Sequence, residues 1–268
     1  MSYPKNYFLI CAIGWRWATA GYRLKRQILK VIPDSSVEII NIKKLEQSYP
    51  GAFRIANQNG GAAVPGYGYW VWKPIVVYDF FQKMSVNTNL FYIGAGCEIN
   101  SNGLDRFSKY LEKLKLNSHL FFSLGDPLNE ILNDELREFF KISMPLEAKN
   151  NVTSATCFGF SKIGITSPDI LLEWYDIAIN SPEKFGVGTF GQSKKFRHDQ
   201  SILSAINYKR ETEVLENEID TEASKTQRSD YLFLALRNRM PFSTAPGTIG
   251  LQFRRTYWRV RKLWLNLF

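Results

Sequence analysis

A dense aromatic block that ends in a lysine and a proline is the first candidate for chemistry in this chain. It spans residues 66–74 and reads GYGYWVWKP. The rings of Tyr69, Trp70 and Trp72 can stack on a flat base or a sugar face, and the Lys73 ammonium can neutralise phosphate as a point charge. In the alternative interpretation, Trp70 and Trp72 anchor the core and Lys73 is solvated. Three aromatics between two glycines and a Lys-Pro pair favour a binding site.

Two other segments carry residues suited to ligand binding. Gly94, Ala95 and Gly96 follow a buried apolar run, where small residues let a ligand approach the backbone. Asp199 and Gln200 lie in the segment RHDQSIL, at the start of a predicted helix. They could bind hydroxyl groups and stabilise positive charge at a reacting carbon. Taken alone, Asp199 would be interpreted as an ordinary capping carboxylate.

Taken together, the three blocks GYGYWVWKP, YIGAGCEIN and RHDQSIL resemble a family of glycosyltransferases encoded in bacterial polysaccharide clusters. These are nucleotide-sugar-dependent proteins of the GT-A type, found in O-antigen and capsule assembly. The resemblance covers roughly residues 5–208. The last block is also similar to the Asp-Gln-x-x-Leu segment of retaining galactosyltransferases related to glycogenin.

The resemblance implies a nucleotide-diphosphate sugar as donor and a glycan or lipid-linked acceptor. It implies catalytic roles for Asp199 and Gln200 and acceptor contacts from Arg197 and His198. The residues expected to contact the donor are Tyr69, Trp70, Trp72, Lys73, Gly94, Ala95 and Gly96.

Gly94 departs from the family pattern. Family members carry Asp there, as in Tyr-x-Asp-Ala-Gly-Cys, and that acid is expected to contact metal or ribose. Because hard cations need oxygen ligands, the glycine leaves metal dependence open. Glu98 and His198 could hold Mn²⁺ or Mg²⁺ instead, or lysine and arginine side chains could neutralise the diphosphate without metal. Gly94 also favours a second hypothesis, a catalytically silent homologue that binds a glycan or a partner enzyme at the membrane surface.

The C-terminal segment is strongly basic. Of the chain's 34 lysines and arginines, eight lie from Arg228 onward with a single acid, so most of the net charge of +9 is there. Apolar residues recur at helical spacing from Phe253 to Leu267, which predicts an amphipathic helix. A basic helix with interfacial aromatics can bind an anionic leaflet, and the alternative is simple packing on the domain. The residues predicted to meet the membrane are Arg254, Arg255, Tyr257, Trp258, Arg259, Arg261, Lys262 and Trp264. Nucleic acid is the less favoured partner, because no nucleic-acid-binding signature accompanies the tail.

Strand-like and helix-like segments alternate along the chain. The patterns predict strands at Phe8–Ile13, Val37–Ile42, Leu90–Ile93, Leu120–Ser123 and Thr156–Phe160. They predict helices at about 19–31, 75–84, 104–116, 128–140, 167–179 and 199–207, and a loop over 51–68. This alternation is typical of an α/β sheet domain.

Composition excludes several classes of protein. A chain of 268 residues with 45% hydrophobic content can bury a substantial core, and it holds no apolar run long enough to span a membrane. Phosphate-loop, GxGxxG, HExxH and GxSxG motifs are absent, and two histidines exclude a multi-histidine metal site. Three cysteines without CxxC spacing indicate a reducing compartment.

These observations lead to one set of expectations. The fold is α/β, a GT-A-like domain over residues 1–210 with a mixed, mostly parallel sheet. A polar linker follows over 211–230, and then a basic aromatic segment over 231–268 that ends in a C-terminal amphipathic helix. The predicted function is transfer of a sugar from a nucleotide-diphosphate donor to a surface-polysaccharide acceptor. The protein is expected to be cytoplasmic, peripheral at the inner face of the cell membrane.

Overall fold

A computed structural model describes residues 5–143, 151–164, 167–186, 196–216, 218–219, 230–237 and 239. Within these ranges, the strands are β1 (Lys5–Cys11), β2 (Ser36–Ile40), β3 (Thr88–Gly94), β4 (Glu98–Ile99), β5 (His119–Leu120), β6 (Ser123–Pro127), β7 (Asn151–Thr153), β8 (Cys157–Lys162) and β9 (Phe233–Leu234). The helices are α1 (Trp15–Val31), α2 (Ile42–Ser48), α3 (Pro50–Gln58), α4 (Gly66–Tyr69), α5 (Trp72–Lys83), α6 (Leu104–Asn117), α7 (Asp134–Phe140), α8 (Asp169–Asn180) and α9 (Asp199–Lys209).

A five-stranded sheet in the order β2-β1-β3-β8-β5 forms the centre of the fold. β1 pairs parallel with both β2 and β3, whereas β8 runs antiparallel to β3 and to β5. Four of the five strands therefore point the same way, and the predicted mixed, mostly parallel α/β sheet is confirmed. Two small antiparallel pairs, β4 with β9 and β6 with β7, lie outside it.

Both faces of the sheet are buried, because side chains alternate along each strand. In β1, Phe8 and Ile10 pack with α1 and α6, while Leu9 packs on the other face with α5, α8 and α9. β3 repeats the pattern with Phe91 and Ile93 on one side and Leu90 and Tyr92 on the other. A central strand that is covered on both faces has apolar residues at successive positions, and the sequence of β3 shows this pattern.

Several predicted elements match and others do not. The helices at 104–116 and 199–207 are α6 and α9 with nearly the predicted bounds. The prediction of a loop over 51–68 is wrong, because α3 begins at Pro50 and buries Ala52, Ile55 and Ala56 at helical spacing. The helix expected over 128–140 is a short 3-10 turn followed by α7, which Asn133 caps by accepting the Leu136 N–H.

Some predicted boundaries also shift. α1 begins at Trp15 rather than near 19, directly after Gly14 with φ of 92°. Asn41, assigned to a strand from sequence, instead caps α2 by accepting the Lys44 N–H at 2.9 Å.

The folded body continues past residue 210, where the sequence predicts a linker. Leu215 bridges to Phe122, Ile219 is fully buried, and Glu218 accepts from Tyr110 at 2.6 Å. β9 then pairs with β4 and buries Phe233. The described parts of 211–237 are therefore packed on the domain. The predicted membrane helix, with all eight of its site residues, lies outside the described residues.

The helices in the described ranges are too short or too polar to cross a lipid bilayer.

Candidate active site

The carboxyl ends of β1 and β3 lie together at one edge of the sheet. Cys11 pairs with Gly94 there, and the Ala95 N–H donates to the Cys11 carbonyl at 3.1 Å. The Gly94 N–H donates at 2.8 Å to the carbonyl of Thr156, just before β8. Ligands of open α/β sheets bind at the carboxyl ends of parallel strands, so this edge is the expected place for a site.

A buried ion pair joins the aromatic block to the RHDQSIL block at this edge. The Lys73 Nζ contacts the Asp199 Oδ2, with 4% and 5% of these residues exposed. Nζ also donates to the Ala155 carbonyl at 3.0 Å and lies 5.1 Å from the centroid of the Tyr92 ring. The structure therefore brings together residues 126 positions apart in sequence. Lys73 is not solvated, so that alternative is wrong.

The charge on Asp199 depends on its partner. Burial raises the pKa of Asp199 above its ordinary value, and the Lys73 ammonium counters part of that rise. Without Lys73, only the smaller effects of His198 and of the Gln200 N–H would oppose burial, and the balance would shift toward the neutral acid.

Residues 66–70 have left-handed backbone conformations in succession. Their φ values are 65° at Gly66, 57° at Tyr67, 76° at Gly68, 57° at Tyr69 and 61° at Trp70. This conformation costs about 1–2 kcal/mol for each residue with a side chain, so the surrounding structure must hold the three aromatics there. Strain of this kind clusters at active sites and ligand clamps.

Contacts from buried groups fix this turn. A Cβ on Gly68 would lie 2.4 Å from the Ala56 carbonyl oxygen, so only glycine fits. The Trp72 indole N–H donates to the Gly66 carbonyl at 2.8 Å, and Trp72 is 1% exposed. Trp72 is thus a core anchor, as the alternative interpretation held. Tyr69 and Trp70 are partly exposed.

His198 packs against the aromatic block. Its ring stacks on Tyr69 with centroids 4.7 Å apart and lies 5.8 Å from the ring of Trp70. Its Nδ1 lies 2.8 Å from the Phe185 carbonyl, which requires Nδ1 to carry the proton. Tyr69, Trp70 and His198, the "aromatic platform", form one surface beside the buried ion pair.

Arg197 and Gln200, which flank His198 and Asp199 in sequence, differ in their contacts. Arg197 forms an ion pair with Asp126 at 2.6 Å. The side-chain nitrogen of Gln200 is buried and has no hydrogen-bond partner among the residues that the structure describes. A buried amide donor without a partner is costly, so Gln200 is suited to donate to a bound hydroxyl.

The turn after β3 is held by α1. The Arg23 guanidinium donates to the Ala95 carbonyl at 3.1 Å and to the Cys97 carbonyl at 2.7 Å. Gly94 and Gly96 are partly exposed, but a Cβ on Gly96 would lie 3.0 Å from the Arg237 Cα and from Trp17. The small size of Gly96 therefore allows the close approach of Arg237 and Trp17. The sequence-based interpretation, in which this glycine makes room for a ligand, is wrong.

The residues offered as metal ligands do not fit a divalent cation. Glu98 is fully buried and paired with Arg23 at 3.9 Å, whereas the His198 ring stacks on Tyr69. Gly94 supplies no oxygen ligand from a side chain. Across the described ranges, no three His, Cys, Asp or Glu side chains cluster as metal ligands would.

We expect the three cysteine thiols to be unreactive in the folded protein. Burial raises the pKa of Cys11 and of Cys97 to about 12, and raises that of Cys157 well above its ordinary value. Because the thiolate is the nucleophile, alkylation at pH 8 should be roughly a thousandfold slower than in the unfolded chain. Iodoacetamide labelling with and without urea, followed by mass spectrometry, measures this. Rapid labelling of Cys11 in the folded state would contradict the packing of the edge.

The stability of the protein should fall as the pH is lowered from 7.5 to 5. Burial lowers the pKa of both histidines, His119 and His198, below the ordinary 6.5. Their stabilising contribution is present above that value and is lost as the pH falls through the folded-state pKa, because the unfolded chain binds the protons more readily. Urea unfolding across this range should show a smaller pH effect in the H119Q/H198Q variant. An equal pH effect in both proteins would contradict the burial of the imidazoles.

Sequence reasoning missed several residues at the edge. Cys11, which shares a hydrogen bond with Tyr92, was seen only as one of three sparse cysteines. Arg23 lies far from the motifs in sequence, and Arg237 was noticed only as part of the basic C-terminal segment. The burial of Lys73 could have been predicted from the sequence, because the residue is flanked by Trp72 and Pro74 and followed by an apolar run.

No protein-family model matches the chain, and no curated protein matches it. Among solved structures, the chain is similar to mouse xyloside xylosyltransferase 1 in its apo form, with 10% identity and a TM-score of 0.46 over 81% of this chain and 86% of that one. It is also similar to a glycosyltransferase involved in glycosylation of the major capsid of PBCV-1, with 11% identity and a TM-score of 0.46 over 86% and 92%.

A third similar structure is the apo-form glycosyltransferase GlyE of Streptococcus pneumoniae TIGR4. The identity is 12% and the TM-score 0.43, over 92% of this chain and 56% of that one. The chain thus spans little more than half of that protein.

Proposed function

We propose that the chain is a glycosyltransferase that moves a sugar from a nucleotide-diphosphate donor to a surface-polysaccharide acceptor. One observation carries the proposal: the Lys73–Asp199 ion pair, which joins two of the three family-like blocks at the carboxyl edge of the sheet. The remaining block, YIGAGCEIN, supplies Tyr92, whose ring lies beside the same ammonium. Residues from separate blocks converge on one point, as a substrate site requires.

The proposed roles follow from exposure and charge. Tyr69 and Trp70 stack on the donor's base or sugar, because both residues are partly exposed. Gln200 donates its free amide N–H to a sugar hydroxyl. Asp199 stabilises the oxocarbenium-like charge at the anomeric carbon from a buried position, where electrostatic interactions are strong. Lys73 keeps that carboxylate ionised and in place.

The test is a thermal-shift panel with UDP and GDP, with CMP as a control. A ligand that binds only the folded state stabilises it by mass action, so even moderate affinity gives a rise in Tm at excess ligand. We expect one nucleoside diphosphate to raise Tm and the W70A and Q200A variants to reduce the rise. Absence of any shift in a folded sample would overturn the proposal.

Gly94 favours a second candidate function, a silent homologue that binds a glycan or a partner enzyme. A family-like Asp is absent there, although a Cβ at this position would meet only Thr156 at 3.2 Å and so could be accommodated with slight movement. The G94D variant separates the two functions. Metal-dependent donor binding or turnover gained only in G94D would support a degenerated enzyme, whereas turnover by the native chain supports the glycosyltransferase.

We also propose that the basic C-terminal segment holds the protein at an anionic membrane surface, where lipid-linked acceptors reside. The support is the concentration of arginines and aromatics after Arg228. Co-sedimentation with phosphatidylserine vesicles should exceed that with phosphatidylcholine vesicles. It should fall when Arg254, Arg255 and Arg259 are changed to Gln. Equal sedimentation of the two proteins would overturn this part.

A further inference from the structure

The charged groups around the glycine turn do not cancel. Glu98 is paired with Arg23, and Asp199 with Lys73, so each of these two carboxylates has its own cationic partner. Arg237 and Arg239 are exposed, and neither has a carboxylate partner among the residues that the structure describes. Among the described residues, this part of the edge therefore has an excess of positive charge.

Arg237 lies against the turn itself, and Arg239 lies against Trp17, whose ring also approaches Gly96. The Arg237 Cα would be 3.0 Å from a Cβ on Gly96, and its backbone has φ of 50°, a conformation uncommon outside glycine. The Arg239 guanidinium lies 4.7 Å from the centroid of the Trp17 ring, and its carbonyl accepts from Thr19 at 3.4 Å. Pairing of β9 with β4 leads the chain to this position.

Stacking on Trp17 orients one of these cations. A guanidinium against an aromatic face keeps its edge donors free, so Arg239 can still bind an oxyanion in the plane of the group. Strained backbone at Arg237, close to a turn at the carboxyl edge, is the kind of feature found at ligand sites.

We propose that Arg237 and Arg239 bind the diphosphate of the donor and that this chain needs no divalent cation to do so. The inference rests on the proposed function and deepens it. The diphosphate of a sugar nucleotide carries about two negative charges, which two guanidinium groups can balance. Arginine binds phosphate through charge-assisted, bidentate hydrogen bonds. The residues that could have held a metal are engaged elsewhere, so the arginines take its electrostatic role.

The experiment is calorimetric titration of the full chain with UDP and GDP, in EDTA and in manganese. We expect Kd to differ by less than about twofold between the two conditions, because the described residues form no ligand set for the cation. The R237Q/R239Q variant should weaken diphosphate binding by about tenfold or more, and leave binding of the plain nucleoside unchanged. The matched control, K109Q/K115Q, removes two positive charges from exposed positions on α6 and should leave Kd unchanged.

The outcomes separate the two proposals. Binding of a nucleoside diphosphate only in manganese would keep the proposed function and overturn this inference. Metal-free binding that R237Q/R239Q does not weaken would also overturn it. No binding to either nucleotide under any condition would overturn the proposed function, and the inference with it. Circular dichroism of each variant shows that a lost affinity is not lost folding.

Discussion

The K73M variant should lose about 3–5 kcal/mol of unfolding free energy, because it leaves the Asp199 carboxylate buried without a counter-charge. Asp199 is 5% exposed, and its pKa is already raised by burial against the opposing effect of Lys73. Urea unfolding followed by circular dichroism measures the loss. The same variant should lose the thermal shift given by nucleotide, because the two blocks that form the site are no longer tied together.

An exposed ion pair provides the matched control. Lys113 contacts Glu213 with side chains 36% and 51% exposed, and K113M should cost less than about 1 kcal/mol. A loss in K73M no larger than in K113M would mean that the Lys73–Asp199 pair is open to water. The double variant K73M/D199L removes both charges and should be more stable than K73M alone, since neither charge is left buried and unpaired.

The second large effect is expected for G68A. A Cβ at Gly68, where φ is 76°, would lie 2.4 Å from the Ala56 carbonyl oxygen and 2.8 Å from the Ala56 Cα. Left-handed strain costs about 1–2 kcal/mol and overpacking against a backbone adds about 1–3 more. We expect a total loss near 3 kcal/mol and a displaced Tyr69–Trp70 surface with weaker nucleotide binding.

Gly125 separates these two contributions. It has nearly the same φ, 75°, but a Cβ there would have nothing within 4 Å. G125A should therefore show the conformational cost alone, about 1 kcal/mol, and leave nucleotide binding unchanged. Equal losses in G68A and G125A, measured by urea unfolding, would contradict the close approach of the Gly68 turn to α3.

Sequence patterns predicted α6 because its apolar residues recur at helical spacing, and β3 because it is an uninterrupted apolar run. α9 was also predicted, although it is buried on almost all sides. α3 was missed because its sequence, PGAFRIANQ, is rich in small and polar residues that also occur in loops. Its helix is stabilised by packing of Ala52 and Ala56 in the core rather than by strong local preference.

The composition of the site was partly predictable and its geometry was not. The three blocks contain Lys73, Tyr92 and Asp199, but spacing along the chain gives no sign that the lysine and the aspartate form an ion pair. That contact depends on how α5 and α9 are placed around the sheet edge. The approach of Arg237 to Gly96 depends on pairing of β9 with β4, and a two-residue strand has too short a pattern to be recognised.

Turnover of sugar nucleotides tests the central claim most directly. The measurement is release of nucleoside diphosphate from a panel of UDP- and GDP-sugars, with EDTA present, by the native chain and by D199N and Q200A. Each variant is assayed at a temperature where circular dichroism shows it folded. We predict release by the native chain from at least one donor, and a loss of about a hundredfold in D199N, because removal of one preorganised electrostatic group has effects of this size.

Either of two results would contradict this claim. A folded chain that releases nothing from any donor, or a D199N variant as active as the native chain, would mean that the Lys73–Asp199 edge is not a glycosyl-transfer site.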